Sequence, residues 1–200
     1  STVGITAMAN INLTGSTLTT GGNGGGDIHI AGGVFVLDPN STIENNNINT
    51  DGGVIHITGT DITFDEGIVR ADTDGAGRGA DIVIQGNNLT VNNNNSPPIA
   101  TGIIARVDTN GTGNGGNIDI DMTGTVSIER EGVIRILGRH NAKGGDINID
   151  ANNLQIISGG KVFSDTFFGG GDNGSINVNT TDSALISGLN SKLNIHTFGN

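Results

Sequence analysis

One hexapeptide recurs down this chain and constrains the fold more than any other feature. Gly25-Gly26-Asp27-Ile28-His29-Ile30 returns as Gly52-Gly53-Val54-Ile55-His56-Ile57, Gly79-Ala80-Asp81-Ile82-Val83-Ile84, Gly115-Gly116-Asn117-Ile118-Asp119-Ile120, Gly144-Gly145-Asp146-Ile147-Asn148-Ile149 and Asn173-Gly174-Ser175-Ile176-Asn177-Val178. The first Ile of each copy stands at 28, 55, 82, 118, 147 and 176, so the copies are 27, 27, 36, 29 and 29 residues apart. Ile alternating with a variable residue is the pattern of a β-strand with one buried face, a setting that suits β-branched side chains. A second short strand follows several anchors, as in Ile62-Thr63-Phe64 and Leu89-Thr90-Val91, with Val126-Ser127-Ile128 one residue later in its copy. A third precedes the next anchor, as in Val69-Arg70-Ala71 and Ile134-Arg135-Ile136.

A unit of this size cannot bury its apolar face alone, so successive units must stack, each strand pairing in parallel with its counterpart one turn away. The expected fold is therefore all-β: a right-handed parallel β-helix (solenoid) of about six coils of 27–29 residues with three short strands per coil. The hand is the one that parallel crossovers prefer. Residues 1–200 are expected to form a single β-helix segment, an excerpt of a longer solenoid or a unit that stacks on its neighbours. The interval of 36 exceeds its predecessor by nine and predicts an inserted loop at residues 92–100, which contains Pro97 and Pro98.

Composition agrees with this fold and removes several function classes. Thirty-five of 200 residues are Gly, which supplies turns with positive φ. There is no Cys, so disulfides, thiolate metal sites and cysteine catalysis are excluded. Nine Lys and Arg in a chain of net charge -11 argue against a nucleic-acid partner. The apolar runs are only a few residues long, so no membrane insertion is expected. Ser1 to Leu13 holds no basic stretch followed by an apolar run, which places any secretion signal outside these residues.

Motif by motif, structural readings prevail over chemical ones. Arg70, Arg106 and Arg135 each stand twelve residues before an anchor, so they should share one outer face on consecutive coils, with Asp72 and Asp108 beside them. Guanidinium matches carboxylate and sulfate oxygens, which makes this stripe the candidate site for a polyanion or glycan. The plainer reading is a ladder of weak surface ion pairs, and it is preferred. His29 and His56 should stack outward on neighbouring strands, but the next rungs are Val83 and Asp119, too few ligands for a metal. The run Gly21 to Ile28 approaches a calcium-binding nonapeptide, with its Asp one residue late and no nine-residue recurrence. Gly111 to Gly116 fits G-x-G-x-x-G, with a strand where a phosphate-binding helix should follow. Asp119 and Asp121 are the nearest thing to a catalytic carboxylate pair, and an outward solubilising role is preferred. Phe163, Phe167 and Phe168 read as a corner packing plug in preference to an adhesive patch. Asn94, Pro97 and Pro98 are the candidate contacts of the inserted loop, since insertions in solenoids often mark a binding face. Neither a catalytic residue, a metal nor a cofactor is assigned.

Gly-rich turns leading into Gly-Gly-x-Ile-x-Ile, as in Thr109 to Ile120, together with Ala71-Asp72-Thr73-Asp74-Gly75-Ala76-Gly77, resemble the repeats of filamentous-haemagglutinin-like exoproteins of the two-partner secretion type, especially cyanobacterial ones. The resemblance covers about residues 20 to 200. It implies an extracellular or outer-surface β-helical adhesin or stalk without catalytic residues. The expected function is thus a structural or adhesive rod that presents or spaces binding surfaces, with an extracellular polysaccharide or a neighbouring cell surface as partner and end-to-end self-association as a further contact. The alternative is a β-helix module that binds or cleaves polysaccharide.

Overall fold

The computed structural model describes residues 1–94, 101–139, 142–167 and 172–198. It is a parallel β-solenoid of about seven turns, without a helix among the described residues, so no helix is long and apolar enough to cross a membrane. The first turn holds β1 (Thr2–Thr6), β2 (Ile11–Leu13) and β3 (Thr17–Gly22), and the second β4 (Asp27–Ala31), β5 (Val34–Leu37) and β6 (Thr42–Asn47). Later turns hold two strands each: β7 (Val54–Asp65) and β8 (Ile68–Thr73), β9 (Asp81–Asn92) and β10 (Gly102–Val107), β11 (Ile118–Glu129) and β12 (Val133–Arg139), β13 (Ile147–Ile157) and β14 (Lys161–Phe167), β15 (Ile176–Ser187) and β16 (Lys192–Phe198). One sheet contains β1, β4, β7, β9, β11, β13 and β15 in that order, with β2 and β5 alongside; the second runs β3, β6, β8, β10, β12, β14, β16.

Two details differ from the expected pattern. The coil count rises from six to seven because Val3 and Ile5 continue the anchor columns without a Gly-Gly pair, Val3 opposite Ile28 and Ile5 opposite Ile30. From the third turn onward the first and second strands of each coil run together, since ladder pairing continues through the bend at Gly59 and Gly86. The one-residue delay of Val126 is a β-bulge, with the register shifting between Met122 and Val126.

The anchors form a single interior line. Ile28 pairs with Ile55, Ile55 with Ile82, Ile82 with Ile118, Ile118 with Ile147 and Ile147 with Ile176. The first five are 0% exposed. Parallel columns run beside them, and in one of them Phe35 meets Ile62 above while Phe64 packs edge-on at 6.2 Å. At the corner between the two sheets the backbone repeatedly enters the left-handed region, at Asn40 (φ 65°), Glu66 (61°), Arg130 (49°), Ser158 (51°) and Asn190 (65°). That recurrence holds each turn in the same orientation as the last.

The residue before the anchor has a structural role. Asp27 Oδ1 accepts the Val54 N–H at 3.0 Å, Asp81 Oδ1 the Asn117 N–H at 2.7 Å, Asn117 Oδ1 the Asp146 N–H at 3.0 Å and Asp146 Oδ1 the Ser175 N–H at 2.7 Å. Each side chain thus satisfies the equivalent amide one turn on, at the start of the anchor strand. Arg78 grips the Asp81 carboxylate from the side. Inside the second sheet, Asn45 donates to the Gly26 carbonyl at 2.6 Å, and Asn47 donates to the carbonyls of Thr50 and Arg78, each at 2.9 Å. The buried amides tie the glycine-rich turns to the core.

Candidate functional site: the outer face of the second sheet

Period two in β6, β8, β10, β12, β14 and β16 turns two rows of side chains outward. One row reads Glu44, Arg70, Ile104, Arg135, Phe163, Asn194; the other reads Asn46, Asp72, Arg106, Leu137, Asp165, His196. Arg70 and Arg135 therefore share a row, and Arg106 lies two residues along, opposite Asp72. The displacement comes from how the long repeat is divided. Ile55 to Arg70 is 15 residues while Ile82 to its equivalent Ile104 is 22, and Arg70 to Ile82 is 12 while Ile104 to Ile118 is 14. Most of the extra chain precedes β10, and two residues follow it. Because two is one strand period, Arg106 stays on the same face and changes rows.

This shift sets the electrostatics. Arg70 Nη2 reaches Glu44 Oε2 at 2.6 Å, and its Nε lies 3.3 Å from Asp72 Oδ2. Arg106 Nη2 meets the same Asp72 oxygen at 2.6 Å and Asp108 Oδ2 at 3.0 Å. Asp72 is therefore clasped by two guanidiniums from adjoining turns, and they border a groove of about 480 Å³ over Gly21, Gly22 and Asn46. Arg135 is placed differently: Asp165 Oδ2 is 3.6 Å from its Nη2, and its guanidinium lies 4.9 Å from the centre of the Phe163 ring. Six of the nine Lys and Arg residues sit on the strands of this face, namely Arg70, Arg106, Arg135, Arg139, Lys161 and Lys192. Lys161 pairs with Glu131.

Burial governs the ionisation of this face. It raises the pKa of Asp72 despite the opposing charges of Arg106 and Arg70, and it raises that of Asp165 despite Arg135. Burial also works against Arg106, where the Asp72 carboxylate more than offsets it, and it lowers Arg135, whose more distant carboxylate does not. A carboxyl whose pKa is raised on folding binds its proton more tightly in the folded chain. Its contribution to stability is full below the unfolded value of 3.8 and is lost as pH rises through the folded pKa. Acidification from neutrality toward that value should therefore raise the urea midpoint of unfolding. In Asp72→Asn/Asp165→Asn that part of the rise should disappear, and an unchanged pH profile in the double variant would contradict the assignment.

The remaining candidates fall as follows. His29 and His56 point outward and meet edge to face with ring centres 5.9 Å apart, and His56 Nε2 lies 3.0 Å from Gln85 Oε1. Among the described residues, no three His, Cys, Asp or Glu side chains are grouped to hold a metal. Asp119 accepts a hydrogen bond from Asn148 Nδ2 at 2.7 Å, and Asn148 accepts one from Asn177 at 2.9 Å, so Asp119 begins a polar ladder up the outer face of the first sheet. Asn94 Oδ1 accepts a hydrogen bond from Arg130 Nη1 at 3.2 Å; Pro97 and Pro98 lie outside the described residues, as do His140 and Phe168. Phe163 and Phe167 are not a plug: they alternate with the buried Val162, Ser164 and Thr166 and so face outward, Phe167 stacking on Phe198 with ring centres 4.2 Å apart. Sequence reasoning missed Arg139, Lys192 and Phe198 as members of this face. Counting by twos from the second-sheet strand of every turn would have found them. Compared with protein-family models, curated proteins and solved structures, the chain matches none.

Proposed function

We propose that this chain is a structural segment of a secreted or cell-surface bacterial exoprotein, a stiff rod that presents and spaces binding surfaces and turns over no substrate. The observation that carries the reading is the continuity of the stack: each sheet runs through seven turns in parallel register. Bending such a rod would break hydrogen bonds in both ladders at once, whereas lengthening it by one turn adds about 4.8 Å and repeats the same contacts. The resemblance of the Gly-rich turns to filamentous-haemagglutinin-like repeats points the same way.

Immunogold labelling of intact cells of the source organism with antibodies to this chain tests the location. Label on the outer surface is expected, and label that appears only after permeabilisation would overturn the reading. Electron microscopy of the purified native protein should show thin rods, and globular particles would defeat the mechanical role.

A polysaccharide-binding module is the second reading, favoured by the gathering of six cations on one face of an acidic chain. Its polysaccharide-cleaving version would place the acid–base chemistry on Asp119 and Asp121, of which Asp119 accepts a hydrogen bond from Asn148; Asp119→Ala and Asp121→Ala would then abolish release of reducing ends or unsaturated products from acidic polysaccharides.

A further inference from the structure

We propose that Arg135, Lys192 and the outward rings of Phe163, Phe167 and Phe198 form a binding site for a polysaccharide that carries carboxylate or sulfate groups. The inference deepens the reading of the chain as a presenter of binding surfaces and rests on it.

Three observations converge on this end of the second sheet. Two cations bracket one aromatic ring: the Arg135 guanidinium lies 4.9 Å from the centre of Phe163 and the Lys192 ammonium 5.7 Å, one from the turn before and one from the turn after. An anion at the outer edge of the ring, the positive part of its quadrupole, would be held from both sides, across strands about 10 Å apart. Next, Arg135 is the guanidinium of the original stripe that its own chain leaves under-compensated. Arg70 and Arg106 each hold a carboxylate oxygen at 2.6 Å, while Arg135 stands 3.6 Å from Asp165, beyond hydrogen-bond distance, on a side chain only 24% exposed. A half-buried guanidinium whose counter-charge stands too far off to accept its hydrogen bonds is left with an unmet Nε donor, and a ligand anion would satisfy the group. Finally, the aromatic rings lie outward along the same strands. Phe163 and Phe167 are four residues apart on β14, about 13 Å, and the second is extended sideways by the Phe198 stack. Their outward edges add apolar surface against which the C–H groups of sugar rings can pack.

Charge density selects the class of polyanion. The neighbourhood sets Arg135, Arg139, Lys161 and Lys192 against Asp165 and Glu131, in a chain of net charge -11. Duplex nucleic acid, with a charge about every 1.7 Å, would meet more carboxylate than cation beyond this patch. A chain of sugars with spaced anionic groups can place one group at the Arg135–Lys192 pair and pack its rings against the phenyl edges.

The test is retention of the 200-residue chain on immobilised dextran sulfate, polygalacturonate and neutral dextran at low ionic strength, with double-stranded DNA as a competing polyanion. Retention on the two acidic polysaccharides and none on neutral dextran is expected. Arg135→Gln/Lys192→Gln should weaken it by about tenfold or more. Lys143→Gln, at an exposed turn and of the same charge change, should leave it within about twofold. Asp165→Asn should tighten binding, a gain that a misfolded variant cannot give. Equal retention on neutral dextran, no retention on either acidic polysaccharide, preference for DNA, or equal behaviour of the double variant and Lys143→Gln would each overturn the site. None of these outcomes bears on cell-surface labelling or on rod shape, so the site and the rod can fail separately.

Discussion

Replacing Ile118 by Asn is expected to lower the stability of the solenoid by about 4 to 5 kcal/mol, most of what a domain of this size possesses. Ile118 is 0% exposed at the centre of the anchor line, with Ile82 on one side and Ile147 on the other. Truncating such a side chain costs about 2 to 5 kcal/mol in lost contacts and cavity. A buried amide without partners adds about 1 to 3 kcal/mol. The position magnifies the result because a solenoid is held by nearest-neighbour interfaces, and the fifth turn separates four turns from two. Ile118→Val should cost only about 1 kcal/mol, and Asp121→Asn, exposed three positions on, should stay within about 0.5 kcal/mol. Urea unfolding followed by far-ultraviolet circular dichroism gives all three values. Ile118→Asn within 1 kcal/mol of Asp121→Asn would mean that the anchors do not form the interior.

The anchor columns were legible because one short-range signal, Ile at period two after Gly-Gly, repeats the geometry it specifies. The first turn escaped that signal because Val3 and Ile5 reach the same columns without the glycines. The arginine stripe was legible in face and misplaced in row. Counting back from the next anchor assumes that every turn reaches its anchor over one length of chain, and the path from β10 to Ile118 is two residues longer than the equivalent path from β8 to Ile82. A shift of two leaves the face unchanged, so the error was invisible to periodicity and became apparent only from strand register. It matters, because it brings Arg106 to Asp72 and leaves Arg135 with a carboxylate at 3.6 Å. The pre-anchor Asp and Asn residues were visible as a shared position. Their purpose was hidden, because their partner is an amide one turn away and 27 to 36 residues along the chain.

Gly145→Ala is expected to cost about 3 kcal/mol, whereas Gly144→Ala should cost about 1 kcal/mol or less, although the two residues are adjacent and chemically identical. A methyl on Gly145 would stand 2.0 Å from the Gly116 carbonyl oxygen and 2.5 Å from its carbon. Both are backbone atoms of the preceding turn and cannot swing aside without opening the ladder that starts at Ile118 and Ile147. The same approach recurs at Gly116 against the Ala80 carbonyl and at Gly174 against the Gly145 carbonyl, whereas the earlier copy carries Ala80 at this place, so it is in the last three copies that the second glycine lets turns stack at strand spacing. A methyl on Gly144 meets the Ile136 γ-methyl at 3.0 Å and the Gly174 nitrogen at 3.5 Å, contacts that a shift of a few tenths of an ångström can ease. Denaturation midpoints of the two variants should therefore separate widely, with Gly145→Ala also losing amide protection at Ile118 and Ile147. Equal midpoints would show that the glycine pair serves only turn flexibility. A wide split would make the second glycine the position at which the last three copies set their spacing.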